Sequence, residues 1–245
     1  MYKRQAYISC TYGATGGTSD YTVEIADAIN SYGVPAIAHL TCVSSTREKV
    51  HTVIHELKER GIENILALRG DIPTNTDFPL PDQYHHAIEL IREIKEAGDF
   101  CIGGACYPEG HPEAANMNED LDHLKEKVDA GCEYLTTQMF FDNEKYYAFV
   151  DRCRAEGITV PIIPGIKPIV FKNQLTVLPK IFRSDIPEPF ATELRKCKTD
   201  DEAKAVGVEW CIQQCKDLIA HGVPSLHFYT MMASDSVYKV AKEVY

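Results

Sequence analysis

The residues best suited to chemistry fall in short polar or glycine-rich phrases, each directly after an apolar run: Thr11–Tyr12–Gly13, His39–Leu40–Thr41, Arg69–Gly70–Asp71, Tyr107–Pro108–Glu109, Gln138, Gly165 and His227 with Tyr229 and Thr230. Arg69–Gly70–Asp71 sets a carboxylate beside a guanidinium, a pair able to orient a polar heterocycle, and the glycine lets a ligand approach the backbone. The alternative reading is a plain ion pair on a loop. Tyr107–Pro108–Glu109–Gly110–His111–Pro112–Glu113 packs a flat ring, an acid and an imidazole donor into one turn. Gly13–Ala14–Thr15–Gly16–Gly17–Thr18 has the composition of a phosphate cradle, but it matches neither GxGxxG nor the loop that ends Gly-Lys-Ser/Thr. His39 ends an apolar run, where a histidine is as readily a core residue as a ligand. Gln138 precedes Met139–Phe140–Phe141, either an apolar wall for an aromatic ligand or ordinary packing. Asp120, His123, Glu126 and Lys127 share one helical face, which taken alone reads as a solvated surface. The nine cysteines are scattered. Cys211 and Cys215 lie one helical turn apart, with Cys197 upstream, and no CxxC pair supplies zinc ligands, so they read as buried thiols. HExxH and GxSxG are absent. No metal and no covalent nucleophile is expected, and polar strand ends beside apolar walls point to an organic cofactor whose identity the residues leave open.

The elements that must position these groups alternate. Short β-branched runs at 7–11, 36–41, 64–69, 101–107, 134–138, 160–165 and 226–230 are expected strands. Segments of 3.6-residue periodicity near 20–32, 46–60, 83–97, 117–131, 143–156, 171–182, 201–221 and 235–244 are expected helices. Gly61, Gly98, Gly131, Gly157 and Gly222 stand where helices should stop. Strand–helix alternation of this kind means βαβ units and a parallel sheet. Residues 71–81 read as a long βα loop and 183–200 as a second loop-like excursion. No linker divides the chain, so one domain over 1–245 is expected. Seven strands leave a barrel one short, and an open doubly wound sheet is the competing architecture. Of 245 residues, 36 are acidic and 25 basic, a net charge of −11 that disfavours nucleic acid as a partner. No run approaches the roughly 18 apolar residues of a membrane span. The N-terminus lacks a signal-peptide pattern, which makes the cytoplasm the expected location.

Taken in order, SCTYGATGG, AHLTC, NILALRGDIP, CYPEGHPEA, LKEKVDAG, TTQMFFD, PIIPGIKPI and HFYT resemble the methylenetetrahydrofolate reductase family, from about Tyr7 to the C-terminus. The resemblance implies a (β/α)₈ TIM barrel holding FAD on its C-terminal rim. It further implies ping-pong hydride transfer from NADH or NADPH through the flavin to 5,10-methylenetetrahydrofolate, giving 5-methyltetrahydrofolate in a homo-oligomeric enzyme. By matching motif, Thr11, Tyr12, Ala14, His39, Arg69, Gly70, Asp71, Tyr107, His111, Ala114, Asp120 and Lys127 are the implied FAD residues. Asp71 is the implied acid near flavin and pterin, and Gln138 and Gln174 are implied folate contacts. The helix face at 120–127 is thereby reassigned from surface to cofactor.

Three departures accompany the resemblance. The family's upstream strand bearing Glu-Phe-Phe-Pro-Pro, whose Glu is the general acid, is absent from this sequence. The seven-strand count follows from that, as does the expectation that this chain folds poorly or lacks turnover. Met231, Met232 and Ala233 stand where many relatives carry Asn-Arg. His123 and Glu126 replace Asn and Arg found in some relatives. Two alternatives stay open: a nonenzymatic flavin- or folate-binding partner domain, and a folate or corrinoid methyltransferase-like barrel.

Overall fold

The computed structural model describes residues 5–12, 21–43, 45–72 and 77–245. In chain order the elements are β1 (Ile8–Cys10), α1 (Thr22–Ser31), β2 (Ala36–Thr41), α2 (Arg47–Glu59), β3 (Asn64–Leu68), α3 (Ala87–Ala97), β4 (Cys101–Cys106), α4 (Met117–Asp129), β5 (Tyr134–Thr137), α5 (Asn143–Ala155), β6 (Ile162–Ile163), β7 (Gly165–Ile166), α6 (Gln174–Phe182), α7 (Glu188–Lys196), α8 (Asp200–Ala220), β8 (His227–Phe228) and α9 (Ser234–Val244). Six strands follow one another as β1-β2-β3-β4-β5-β6, and β7 pairs with β8. Strands that neighbour in sequence order without reversal form the wall of a TIM-type barrel. A doubly wound sheet reverses its strand order at a switch point, and none occurs in this run. Packing divides the chain into two compact units: Met1–Ala105 with His123–Leu135, and Cys106–Asp122 with Thr136–Tyr245.

In the first unit β1 to β4 run parallel, with Cys10 opposite Ala38, Thr41 opposite Leu68 and Ala67 opposite Gly104. Five of the six β2 residues are buried, the continuous apolar pattern of a strand covered on both faces. Helix α2 buries Val50, Val53, Ile54 and Leu57 at i, i+3, i+4 and i+7, and Thr46 caps it by accepting from the Lys49 N–H. The expected glycine stops at Gly61, Gly131, Gly157 and Gly222 have positive φ. Gly98 differs: its φ of 162° is extended backbone, and the α3 end is satisfied instead by Lys58 Nζ donating to the Ala97 carbonyl at 2.9 Å.

In the second unit the expected strand at 160–165 is two pieces, β6 and β7, broken at Pro164, which has no N–H to donate to a ladder. The loop expected over 183–200 contains a helix. Pro187 occupies the N-cap of α7 and Pro189 its first turn, where a missing N–H is harmless, while Phe190, Ala191 and Leu194 are buried. Those prolines open a helix. They pack it into a core of Met139, Phe141, Ile169, Leu178 and Ala203, with Trp210 stacked on Phe190 at 4.5 Å. Helix α8 buries Ala203, Gly207, Cys211, Cys215 and Leu218 along one stripe. All nine cysteines are free thiols, eight of them buried. Among the described residues, no helix is long and apolar enough to cross a membrane.

Candidate functional site

The first unit collects its polar strand ends at one level. Register places Thr11 and Tyr12 beside the second half of β2, and the Cys42 and Val43 N–H groups bond the Leu68 and Arg69 carbonyls at 3.1 and 2.9 Å. Lys127 of α4 reaches that level, donating to the Ala105 carbonyl near the end of β4 at 2.8 Å. His39 lies half-buried within β2, opposite Leu66. Arg69 is half-buried, Gly70 has φ +88°, and Asp71 is exposed. A carboxylate one residue past such a glycine stands clear of the sheet, open to solvent or to a ligand. Thr11 is exposed, its carbonyl accepting from Thr22 Oγ1 at 3.1 Å. Tyr12 is 1% exposed and its hydroxyl meets Ser45 Oγ at 3.1 Å. Its side chain is therefore committed to the interior of the unit. Ala14 and the rest of 13–20 lie outside the described residues.

The second unit holds the tyrosine–histidine loop. The Tyr107 and His111 rings meet edge-on at 4.7 Å. The His111 N–H donates to Asp120 Oδ2 at 2.9 Å, and His111 Nδ1 accepts from the Glu113 N–H at 3.1 Å. An accepting Nδ1 leaves the proton on Nε2 of the neutral ring, so that edge is a donor. The Ala114 N–H closes the turn on the His111 carbonyl at 3.1 Å. Asp120 thus acts on the loop backbone, whereas His123 and Glu126 of the same helix are exposed. Gln138 is anchored by its N–H to the Cys106 carbonyl at 2.8 Å, and its side-chain carbonyl accepts from Met139. Gln174 caps the start of α6, accepting from the Val170 and Phe171 N–H groups at 2.8 and 3.2 Å. In both glutamines the side-chain carbonyl is used locally and the amide NH₂ is the end suited to a ligand acceptor. Met139, Phe140 and Phe141 are buried, Phe140 stacked on Tyr146 at 5.3 Å, so the apolar run after Gln138 is core.

Two arrangements here escaped sequence reasoning, although Glu109 itself stands out within its loop. Glu109, Lys145 and Asp185 form an ion cluster whose members are 36 and 40 residues apart along the chain, beyond any local pattern. Lys167, inside the PIIPGIKPI phrase, is buried; its hydrophobic neighbours were the only available sign.

His227 faces Gly165 across the β7–β8 pair and is 8% exposed, its ring edge-on to Tyr229 at 4.9 Å. Burial pushes its pKa from 6.5 down to about 4. A depressed folded value means its contribution to stability is full above 6.5 and lost as pH falls to about 4. The expected loss over that window is roughly 3 kcal/mol. Urea midpoints measured against pH should show it in the wild type and show a shallower decline in His227→Phe; parallel curves would refute it.

A family model described as Methylenetetrahydrofolate reductase matches residues 1–245. The chain belongs to the methylenetetrahydrofolate reductase family. It is 39% identical over 236 residues to the 5,10-methylenetetrahydrofolate reductase of Pectobacterium carotovorum subsp. carotovorum, covering 96% of this chain and 78% of that one. It is 38% identical over 239 residues to methylenetetrahydrofolate reductase 1 of Schizosaccharomyces pombe, covering 96% of this chain. The chain spans 40% of the length of that yeast relative. Among solved structures, a Clostridium thermocellum protein described as binding two copies of 5-methyl-5,6,7,8-tetrahydrofolic acid aligns with TM-score 0.53 at 14% identity, over 85% of this chain and 72% of that one. An oxaloacetate acetylhydrolase aligns with TM-score 0.53 at 14% identity, over 97% of this chain and 72% of that one. At such identities the likeness is one of fold.

Proposed function

We propose that residues 1–245 form a single barrel domain that binds FAD and reduces 5,10-methylenetetrahydrofolate to 5-methyltetrahydrofolate with NADH or NADPH, in a cytoplasmic homo-oligomer. The observation that carries this reading is the family match along the whole chain. The donor set fits the cofactor. Within the first unit Arg69 and Lys127 would supply cations, and within the second His111 would supply an imidazole N–H, the kinds of group a pyrophosphate takes, and Gly70 would keep the backbone beside Asp71 open. Thr11, Tyr12 and Ala14 would contribute backbone, His39 and Tyr107 ring surface, and Asp120 the support of the His111 loop through its backbone bond. FAD, when bound, carries hydride from the nicotinamide to the folate.

The remaining work belongs to the chain's own residues. Asp71, exposed just past β3, accepts hydrogen bonds from the amino and amide edge of a pterin and fixes its orientation. Gln138 and Gln174 present amide NH₂ groups to the same class of ligand. Asp71→Asn keeps the size of the side chain but removes its charge. It should slow the folate half-reaction by more than about tenfold while leaving flavin reduction by NADH within about threefold. Stopped-flow of the two half-reactions separates them, and equal losses in both would refute the assigned role. Anaerobic titration of the purified chain with FAD, then NADH, tests the reading as a whole. Loss of the flavin's visible absorption supports it, and a folded protein that takes up no FAD favours a nonflavin barrel.

A further inference from the structure

Glu109 sits in the loop after β4 with its side chain only 13% exposed. It accepts from Lys145 Nζ, and its two oxygens also receive the Asp185 N–H at 3.2 and 3.0 Å. Lys145, in the first turn of α5, bonds the Asp185 carboxylate as well. Two residues before Asp185, Arg183 donates to the Pro112 carbonyl at 2.8 Å. The segment between α6 and α7 is therefore pinned to the tyrosine–histidine loop at two points, Glu109 and Pro112, which flank His111. Burial raises the Glu109 carboxyl above its usual range against the pull of Lys145. Burial also works against the Lys145 ammonium, but its bonds to Asp185 and Glu109 outweigh it and raise its pKa. With Lys145 removed, two carboxylates would face each other with Glu109 largely desolvated, an arrangement that persists only if one swings out or takes up a proton.

We propose that Lys145 is a positioning residue: by clamping Glu109 to Asp185 it holds the 107–114 loop in its ligand-ready geometry, and so determines how well His111 and Tyr107 meet the anionic cofactor. This rests on the reading of that loop as part of the FAD site. Lys145 bonds the loop's carboxylate and not its ring residues, so its influence on any ligand is indirect. Preorganisation of this kind changes affinity by removing the ordering a flexible loop would need on binding.

The test compares wild type, Lys145→Met, Lys145→Arg and the double variant Lys145→Met with Glu109→Gln, each as the full chain. Amide hydrogen exchange without cofactor reads the clamp directly. In Lys145→Met, protection of the His111 and Ala114 amides should fall about tenfold or more while that of the α8 amides is unchanged. FAD titration should show affinity weakened about tenfold, with Lys145→Arg restoring most of it, and Glu109→Gln adding little to Lys145→Met because the two act as one unit. Unchanged exchange at His111 and Ala114 in Lys145→Met would overturn the proposal, as would a loss of protection spread evenly over the chain. If the wild type binds no FAD, the cofactor reading fails, and the exchange comparison still decides whether Lys145 orders the loop.

Discussion

Gly207→Ala is expected to destabilise the protein by roughly 3 kcal/mol or more. A Cβ at Gly207 would stand 2.0 Å from the Ile169 carbonyl oxygen and 2.8 Å from its carbonyl carbon. Both are backbone atoms, and Ile169 is itself fully buried, so no side-chain rotation relieves the overlap and α8 must move off its neighbour. The opposing effect is the intrinsic preference of a helix interior for alanine over glycine, about 1 kcal/mol, and it is the smaller. Leu178, Phe190 and Ala203, which share the core with Ile169, would lose contact as the helix shifts. Urea denaturation of the purified variant gives the answer, and a midpoint equal to or above wild type would show that α8 does not pack this closely.

Lys167→Met should act in the opposite direction, stabilising the protein by about 1–4 kcal/mol. Lys167 is 2% exposed, and its ammonium nitrogen has no hydrogen-bond partner among the described residues. Burial lowers its pKa from 10.5, with Cys211 a small opposing influence. Methionine keeps the length of the chain and drops the charge. The same linkage gives a pH signature. The folded value is depressed, so the lysine's contribution to stability is full above 10.5 and lost as pH falls toward the folded value. Wild-type stability should therefore rise with pH through the alkaline range up to 10.5, and the rise should be smaller in Lys167→Met. A variant less stable than wild type at neutral pH would mean that Lys167 has a compensating partner in solution.

Much of this protein was legible before folding. Alternation of apolar runs with helical periodicity places strands and helices within a few residues, because each is set by local hydrogen bonding and by which face must leave water. Seven of the eight expected helices begin within three residues of their observed starts, and the β2 boundaries coincide. The polar strand ends were legible for the same reason: a residue type out of keeping with an apolar run stands out in one dimension. Where local pattern and tertiary demand part, the sequence misleads. Pro187 and Pro189 look like loop residues, yet a helix tolerates proline in its first turn, and only the core that receives Phe190 and Leu194 makes α7 form. Pro164 divides one apolar run into β6 and β7 because a ladder needs N–H groups that proline lacks.

The sequence by itself determined the family, the order of the elements and which residue types stand at the strand ends. Tertiary structure alone decided what those residues do with their polar atoms. Tyr12 commits its hydroxyl to Ser45, Asp120 commits a carboxylate oxygen to the His111 backbone, and Lys145 joins Glu109 to Asp185. A hydrogen bond or ion pair depends on distance in space, and residues dozens of positions apart meet only after the helices between them have packed. Burial follows the same rule: the apolar neighbours of Lys167 hint that it is covered, but nothing near Lys167 or Gly207 in the chain announces that one finds no hydrogen-bond partner among the described residues and the other is pressed against a carbonyl.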